Sequence, residues 1–320
     1  MLKVAIIGLG QMGQSYAKEA LYFCDEVHLY DTDFEKLNNF KNNPTSLHNP
    51  FDNSNSFIST EKLILHKSVK TIFDVNIKLA IITTHKETHA QYAINFMNKD
   101  INVLVEKPMC CDITEATNMY QTSFFRKIKL FIGFSLHGTP AFMHLKKIIK
   151  ENKNHISSIQ INRLGVVPIN YPTKVTADFD LISHDTDFFL QTIGEPSKQD
   201  LHIFSSRKCR KVWYYNNHIN ITMNAETPLE NKNLFHYSYI LQCDNDKSYY
   251  YDNIKKPNSI ILEINNEYKQ SYYIDYRESV CRNIFLSVIN ALDYDYDIFL
   301  KHPLSVTHGL NCIKWLQNIG

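Results

Sequence analysis

The sequence predicts an α/β protein in two parts, an N-terminal domain with a parallel sheet and a C-terminal α+β domain with a mostly antiparallel sheet. In the first part, short apolar runs alternate with longer stretches of helical periodicity, which is typical of a parallel sheet with crossover helices. In the second part, short alternating runs are separated by Asn, Asp and Lys, which favours antiparallel strands. We expect the two domains to span residues 1–122 and 123–320.

The predicted elements of the first part follow one another in a regular order. Continuous apolar runs predict strands, and apolar residues at helical spacing predict the helices between them. The predicted strands are Lys3–Gly8, Glu26–Tyr30, Leu63–His66, Lys78–Thr83, Asn102–Glu106 and Lys129–Phe134. The predicted helices are Gln11–Phe23, Lys86–Met97 and Ile113–Phe125.

In the second part, the pattern changes after Pro140, where a helix is expected to run to Lys150. The segment Thr176–Ile193 has helical spacing and an acidic start, and two further helices are expected over Ser279–Leu292 and Leu304–Ile319. The clearest predicted strands are Ile156–Arg163, Ile219–Asn224, Phe235–Gln242, Ser259–Ile264 and Gln270–Ile274.

Composition limits the function classes. With 34 basic and 33 acidic residues among 320, the formal net charge is +1, so no strong field favours nucleic acid or an anionic membrane surface. A small-molecule substrate is the expected partner. The first residues enter an apolar strand without the features of a signal peptide, and charged or polar residues interrupt every apolar run before the ~20 residues of a membrane helix. These observations predict a cytoplasmic protein.

A glycine-rich turn lies directly after the first predicted strand and before the first predicted helix. Gly8, Gly10 and Gly13, with Gln11 and Met12 between the last two, form the pattern G-x-G-x-x-G. The first glycine permits a tight turn, the second lets a pyrophosphate approach the backbone, and the third lets helix and strand pack closely. The helix N-terminus adds N–H groups that can bind the phosphates. The turn therefore predicts a Rossmann domain that binds a dinucleotide.

An acidic residue stands where such a domain binds the adenosine ribose. Asp31 ends the second predicted strand, eighteen residues after Gly13, and its carboxylate can accept hydrogen bonds from ribose hydroxyl groups. Asp33 is the expected N-cap of a following helix with Glu35 in its first turn. Two carboxylates without an arginine would repel a 2′-phosphate, so NAD is expected rather than NADP, and Lys36 is the residue that could reverse this preference.

Four later segments resemble the Gfo/Idh/MocA family of NAD(P)-dependent sugar and polyol dehydrogenases. They are Leu79–Thr84 with His89 after it, the strand and E-K-P motif of Asn102–Pro108, Gly133–Pro140, and Asp180–Asp187. The resemblance implies hydride transfer between a nicotinamide and a hydroxyl or keto carbon of a sugar, inositol or nucleotide sugar. It also implies a homodimer or homotetramer. Through the same resemblance, three further residues are predicted to bind the cofactor: Thr83, His89 and Glu106.

The predicted catalytic residues are Lys107, Asp180 and His184. Lys107 follows a buried strand at the sheet edge where open α/β sheets bind ligands, so it can stabilise alkoxide character or take part in proton transfer. Asp180, His184 and Asp187 are spaced to share one helical face. His184 can serve as the general acid/base, and Asp180 can orient it or bind a substrate hydroxyl. The competing interpretation is a structural polar cluster.

Four alternatives bear on this assignment. The glycine turn alone also resembles β-hydroxyacid dehydrogenases, but their second glycine-and-lysine motif and all-helical second half are not in this sequence. His85 and His89 could bind a metal together, yet no suitably placed third ligand accompanies them, so no metal is expected. An NAD-binding sensor or partner subunit without catalysis stays open, because Val175, Thr176 and Ile182 stand where the family has glycines; an imine reductase on the same fold also stays open.

Overall fold

The computed structural model describes residues 1–43, 59–165, 176–216, 218–227, 236–274 and 279–317. The chain forms two compact units. The first contains Met1–Gly138 and Arg277–Ile313, and the second contains Thr139–Tyr276 and Lys314–Gly320.

The first unit contains a six-stranded parallel sheet with the order β3-β2-β1-β4-β5-β6, which confirms the predicted Rossmann architecture. Strands β1, β4, β5 and β6 are almost entirely buried, as expected for a parallel sheet covered on both faces. The strands are β1 Lys3–Ile7, β2 Glu26–Tyr30, β3 Leu63–His66, β4 Leu79–Ile82, β5 Asn102–Glu106 and β6 Leu130–Gly133.

The helices of the first unit agree with the predicted spacing to within about one residue. The helix predicted after Asp33 is present, and the Asp33 carboxylate accepts hydrogen bonds from Glu35 N (3.1 Å) and Lys36 N (3.2 Å), which caps its first turn. The first four helices are α1 Gln11–Phe23, α2 Phe34–Asn42, α3 Lys86–Met97 and α4 Ile113–Arg126.

The unit boundary differs from the expected division at residues 122 and 123. That position falls inside α4, and β6 after it pairs with β5 in the first sheet. The chain also returns to the first unit near its C-terminus, where Ile132 N of the edge strand β6 donates a hydrogen bond to Leu304 O (2.7 Å). Periodicity identifies these elements one at a time, but it carries no information on a distant segment that covers a sheet edge.

The second unit contains an eight-stranded sheet with the order β14-β13-β12-β11-β7-β10-β9-β8. Every neighbouring pair is antiparallel except β7 and β10, so the predicted mostly antiparallel sheet is confirmed as a mixed one. The strands are β7 Ile156–Leu164, β8 Lys198–Ser205, β9 Lys208–Tyr214, β10 Asn220–Glu226, β11 His236–Cys243, β12 Lys247–Asp252, β13 Ser259–Ile264 and β14 Glu267–Tyr273.

Helices of the second half begin and end close to the predicted positions. The expected single helix over Thr176–Ile193 is divided at Leu181, although Leu181 keeps right-handed helical dihedral angles. Phe235 and Ile319, the predicted first residue of a strand and last residue of a helix, lie outside the described residues. The helices are α5 Pro140–Glu151, α6 Ala177–Asp180, α7 Ile182–Thr192, α8 Val280–Ala291, α9 Tyr296–Phe299 and α10 Val306–Leu316.

None of the helices in the described part of the chain is both long enough and apolar enough to cross a membrane.

Candidate functional site

The glycine turn between β1 and α1 is shaped by backbone crowding at two of its three glycines. Gly8 has φ +92°, a left-handed conformation that favours glycine, and a Cβ there would lie 2.9 Å from Thr83 O. A Cβ on Gly13 would lie 2.0 Å from Gly8 O. A Cβ on Gly10 would meet no protein atom within 4 Å. The first and third glycines therefore let the turn form, whereas the second leaves open space beside the helix N-terminus.

The N-terminus of α1 provides hydrogen-bond donors at this open space. Gly10 is the N-cap and has no side chain to cap the helix, while Gln11 and Met12 begin the first turn. Amide N–H groups of a first helical turn have no acceptor within their own helix, and the helix dipole favours an anion beside them. The arrangement has the space and the donors that a pyrophosphate requires.

Thr83 stabilises the turn from the neighbouring strand. Its hydroxyl group donates a hydrogen bond to Gly8 O (2.6 Å), and its backbone N–H donates to Ile7 O (2.9 Å). Because its hydroxyl group is directed at the protein backbone, Thr83 acts on the shape of the glycine turn. Its predicted contact with the cofactor stays a prediction.

Asp31 follows β2 at the same edge of the sheet, and it is held by its neighbours on both carboxylate oxygens. Oδ2 accepts a hydrogen bond from Leu9 N (2.6 Å), and Oδ1 accepts one from Asp33 N (2.9 Å). Lys36 Nζ lies 3.2 Å from Oδ2 and 3.4 Å from Oδ1. The carboxylate therefore connects the glycine turn to α2 at the position predicted for ribose binding.

The hydrogen bonds decide the charge of Asp31. Burial alone would raise the pKa of its carboxyl group, but the N–H donors of Leu9 and Asp33 and the Lys36 ammonium outweigh burial and lower the pKa. Asp31 is therefore an anion at neutral pH and accepts hydrogen bonds.

Glu106 is a buried acid at the end of β5, directly before Lys107. Its Oε1 accepts a hydrogen bond from the Tyr16 hydroxyl group (3.0 Å), and its Oε2 accepts one from Lys107 N (3.1 Å). A Cβ on Gly133 would lie 2.7 Å from Oε1, so the neighbouring strand β6 leaves room for the carboxyl group only because residue 133 is glycine. Glu106 therefore holds the backbone of Lys107 and does not face open space.

The surroundings of Glu106 favour its protonated form. Burial raises its pKa, and this outweighs the opposing effects of Lys107 and the Tyr16 hydroxyl group. Burial, with Glu106 beside it, also raises the pKa of Tyr16 well above its usual value, so Tyr16 keeps its proton and donates.

His89 connects two loops at the same sheet edge. Its Nδ1 lies 2.9 Å from Pro108 O and its Nε2 lies 3.0 Å from Thr84 O, and the residue is buried. Burial lowers the pKa of the ring despite both carbonyl oxygens, so the neutral imidazole donates to one carbonyl oxygen at a time. This geometry suits support of the segment after Lys107 better than direct contact with a cofactor.

In the second unit, Asp180 ends α6, and His184 and Asp187 lie on α7. Asp180 is half-buried, whereas His184 and Asp187 are buried, and Asp187 Oδ1 accepts a hydrogen bond from Gln191 Nε2 (2.9 Å). The predicted catalytic Lys107 belongs to the first unit. Val175, one of the departures from the family pattern, lies outside the described residues.

The same helix contributes a buried ion pair that the sequence pattern did not identify. Both nitrogens Nε and Nη2 of Arg163, on β7, donate to the Asp185 carboxylate, with Nη2 2.7 Å from Oδ1. The guanidinium also lies 5.2 Å from the ring centroid of Tyr237. Burial would lower the pKa of Arg163, but the Asp185 carboxylate outweighs it and raises the pKa, so the arginine stays charged. Asp185 is therefore a structural residue next to His184.

Sequence reasoning thus missed three contacts: that of Tyr16 with Glu106, that of Gly133 with Glu106, and the Arg163–Asp185 ion pair. One signal was available, because Arg163 occupies a buried position in phase with Ile159 and Ile161 on β7, and a buried arginine requires an acidic partner. Tyr16 gives no such signal, since an aromatic residue on a buried helix face is ordinary core. Within the described residues, no group of three or more His, Cys, Asp or Glu side chains is arranged to hold a metal ion.

Together, the parallel sheet, the glycine turn and the acid after β2 define a dinucleotide-binding Rossmann domain. A family model described as "Oxidoreductase family, NAD-binding Rossmann fold" matches residues 2–134. The resemblance predicted from the sequence is thereby confirmed for this domain, whose residues match the model of the Gfo/Idh/MocA oxidoreductase family.

The myo-inositol 2-dehydrogenase of Thermotoga maritima is 24% identical to this chain over 205 residues. The alignment covers 61% of this chain and 55% of that enzyme, so the chain matches little more than half the length of this relative.

Solved structures are similar over nearly the whole chain. UDP-N-acetylglucosamine 3-dehydrogenase from Acidithiobacillus ferrooxidans has a TM-score of 0.76 and 16% identity, with 99% of this chain and 96% of that chain covered. An oxidoreductase from Agrobacterium radiobacter, solved with NAD⁺, L-tartaric acid and magnesium, has a TM-score of 0.73 and 11% identity, with 99% and 94% covered. At these identities the similarity establishes a shared fold.

Proposed function

We propose that the protein is an NAD-dependent dehydrogenase or reductase that acts on a CH–OH group of a sugar, an inositol or a nucleotide sugar. The observation that carries this proposal is the position of Lys107 at the carboxyl end of β5, where Glu106 Oε2 accepts a hydrogen bond from its backbone N–H (3.1 Å). Parallel sheets bind ligands at this edge, and the glycine turn follows β1 at the same edge.

Oxidation of an alcohol carbon releases a hydride and a proton, and bound NAD⁺ supplies the acceptor for the hydride. The protein must then receive the hydroxyl proton and stabilise the oxygen while it carries negative charge. Lys107 can hydrogen-bond this oxygen, and proton transfer proceeds through Lys107 or His184. Asp180 orients the His184 ring or accepts a hydrogen bond from a substrate hydroxyl group. In the reverse direction the same groups return the proton to a carbonyl oxygen.

The substrate class rests on relatives. The Thermotoga relative is named for myo-inositol and the Acidithiobacillus structure for a nucleotide sugar, and both substrates carry secondary hydroxyl groups on a six-membered ring. We extend the proposal to NAD as the preferred cofactor, because the Asp31 carboxylate, at the position predicted for ribose binding, would repel a 2′-phosphate. We further propose assembly into a homodimer or homotetramer, as the family resemblance implies, and light scattering on the purified protein would test this.

The first test is titration of the purified protein with NADH, followed by a turnover screen against inositols, sugars and nucleotide sugars. On the substrate found, Lys107→Met is expected to reduce turnover by about 10²- to 10⁴-fold, because a proton-transfer group is lost. Lys99→Met is the matched control, since Lys99 is an exposed lysine of the same unit beside the Phe73 ring.

The outcomes separate the alternatives. Unchanged turnover in both Lys107→Met and His184→Ala would exclude the proposed mechanism. NADH binding without turnover on any of the three substrate classes would favour the NAD-binding sensor, and turnover on an imine alone would favour the imine reductase. A protein that binds neither NADH nor NADPH would contradict the whole proposal.

A further inference from the structure

Strand β8 has one side that the second sheet does not cover. Within the described residues, β8 is the last strand in the order of this sheet and pairs with β9 alone. The outer side of such an edge strand presents backbone N–H and C=O groups with which another extended strand can pair. A groove of about 490 Å³ is lined by residues 197–202, which include the first part of β8, and by Trp315 of α10. The edge therefore has both the hydrogen-bonding groups and the space for an added strand.

Two opposite charges lie on one face of this edge strand. Lys198 and Asp200 point to the same face, because successive side chains of a strand alternate between faces. Lys198 Nζ lies 3.2 Å from Asp200 Oδ1, and the two side chains are 68% and 33% exposed. Gln199 points to the other face, where its Oε1 accepts a hydrogen bond from Trp213 Nε1 (3.2 Å). Both charges are thus at the surface, where they can also interact with the charges of an added strand.

A second copy of β8 fits this pattern of charges. When two identical strands pair about a two-fold axis, residue i of one copy faces residue j of the other, and j faces i in return. The register that places Gln199 opposite Gln199 of the second copy also places each Lys198 opposite Asp200 of the other copy. Opposite charges that face each other across antiparallel strands stabilise the pairing, and this register contains two such pairs.

The neighbouring registers match the charges less well. With Asp200 on the axis, two carboxylates would face each other, and like charges directly opposite one another destabilise an antiparallel pair. With Leu201 on the axis, Lys198 would lie opposite Phe204, an aromatic residue that is 60% exposed, and would have no acidic residue facing it. The register with Gln199 on the axis is therefore the one that matches both Lys198 and Asp200.

We propose that two copies of this chain associate through β8, which pairs antiparallel with β8 of the second copy and has Gln199 on the two-fold axis. The two eight-stranded sheets then form one continuous sheet. The inference assigns a surface to the proposed homo-oligomer and rests on that part of the proposed function. It does not depend on the cofactor or on the catalytic residues.

A cysteine on the axis tests the register directly. Facing residues of antiparallel strands have Cα atoms about 4.5–5.5 Å apart, within the ~4.4–6.8 Å that a disulfide spans. During oxidation with diamide, Gln199→Cys is expected to form a disulfide-linked dimer, measured on non-reducing gels against the wild-type background. The matched control is Gln270→Cys, which changes the same residue type at an exposed position of β14, the strand at the other end of the sheet. Its crosslinking rate should be lower by about tenfold or more.

An exchange of charges tests the cross-strand pairs. In the Gln199→Cys background, Asp200→Lys places two lysines opposite each other at both pairs and should slow crosslinking by about tenfold. Adding Lys198→Asp restores opposite charges and should recover the rate. The control is Glu267→Lys in the same background, because it breaks a comparable ion pair on β14, in which Lys269 Nζ lies 2.9 Å from Glu267 Oε2. It should leave the crosslinking rate within about twofold.

Light scattering on the wild-type protein separates this inference from the proposed assembly. If the protein is an oligomer but Gln199→Cys crosslinks no faster than Gln270→Cys, the β8 interface is overturned and the homo-oligomer stands. The same conclusion follows if Asp200→Lys leaves the crosslinking rate unchanged. A wild-type protein that is a monomer at every concentration would overturn both the interface and the homo-oligomer, while the proposed dehydrogenase activity would stand.

Discussion

The two units present their candidate residues in different ways. In the first unit, the glycine turn is built from backbone atoms. Gly8 and Gly13 are required there, because a Cβ would lie 2.9 Å from Thr83 O at the first position and 2.0 Å from Gly8 O at the second. In the second unit, His184 and Asp187 are side chains on a helix that also buries the Asp185 carboxylate against Arg163. The difference teaches that a site built from backbone leaves a sequence motif, whereas a site built from side chains depends on partners distant in the sequence.

The largest expected effect tests whether Asp185 is structural. Asp185→Ala leaves the Arg163 guanidinium buried without its partner, so the free energy of unfolding should fall by about 3–5 kcal/mol. Urea denaturation of the purified variant measures this fall. The control is Glu151→Ala on α5, which removes an exposed ion pair with Lys147 and should change stability by about 1 kcal/mol or less.

A double variant distinguishes loss of the pair from loss of packing. Arg163→Met with Asp185→Leu removes both charges and keeps apolar volume, so it should recover most of the lost stability. A double variant as unstable as Asp185→Ala would contradict the ion-pair explanation. Lost packing around residues 163 and 185 would then account for the fall in stability.

The glycines provide a test within the backbone-built site. Gly13→Ala places a Cβ 2.0 Å from Gly8 O, so the turn must shift, with a cost of about 1–3 kcal/mol in stability and a loss of NADH binding. Gly10→Ala meets no protein atom within 4 Å and should cost less than about 1 kcal/mol, yet it should still weaken NADH binding. Calorimetric unfolding and NADH titration measure the two effects. Unchanged NADH affinity in Gly10→Ala would show that the open space is not the cofactor site.

The same contrast explains how much the sequence could predict. Periodicity located β2, β3, β5, α1 and α3 at their observed bounds, because each has one clear hydrophobic period. Strand β8 was not singled out, since Lys198, Asp200 and His202 interrupt its pattern and it lies at the edge of its sheet. The Tyr16–Glu106 contact joins residues 90 positions apart, and local periodicity contains no information about such a pair.

Tyr16 tests whether the backbone-built unit also depends on a side chain. Tyr16→Phe removes the hydroxyl donor from Glu106 Oε1 and leaves a buried acceptor unpaired, which should lower stability by about 1–3 kcal/mol. Turnover should fall while the NADH dissociation constant changes little, because the contact supports Lys107 and not the glycine turn. Tyr296→Phe is the control, since its hydroxyl group also has a partner in the first unit, Ser123 Oγ at 2.8 Å. Equal losses of turnover in both variants would assign Tyr16 a general structural role.

The smallest expected effect is the pH dependence that Glu106 gives to the first unit. Burial raises the pKa of Glu106 in the folded protein, so between its unfolded and folded pKa values the folded state keeps a proton that the unfolded chain has released. This contribution to stability is complete below the unfolded pKa and is lost as the pH rises through the folded pKa, with a slope of at most about 1.4 kcal/mol per pH unit.

The variant Glu106→Gln has no such proton. As the pH rises through this window, its free energy of unfolding should therefore fall less steeply than that of the wild-type protein, as measured by urea denaturation of both proteins at a series of pH values. Glu35→Gln, at an exposed position, is the control for the loss of one carboxyl group from the same unit. Parallel curves of unfolding free energy against pH for the wild type and Glu106→Gln would show that Glu106 is ionised in the folded protein.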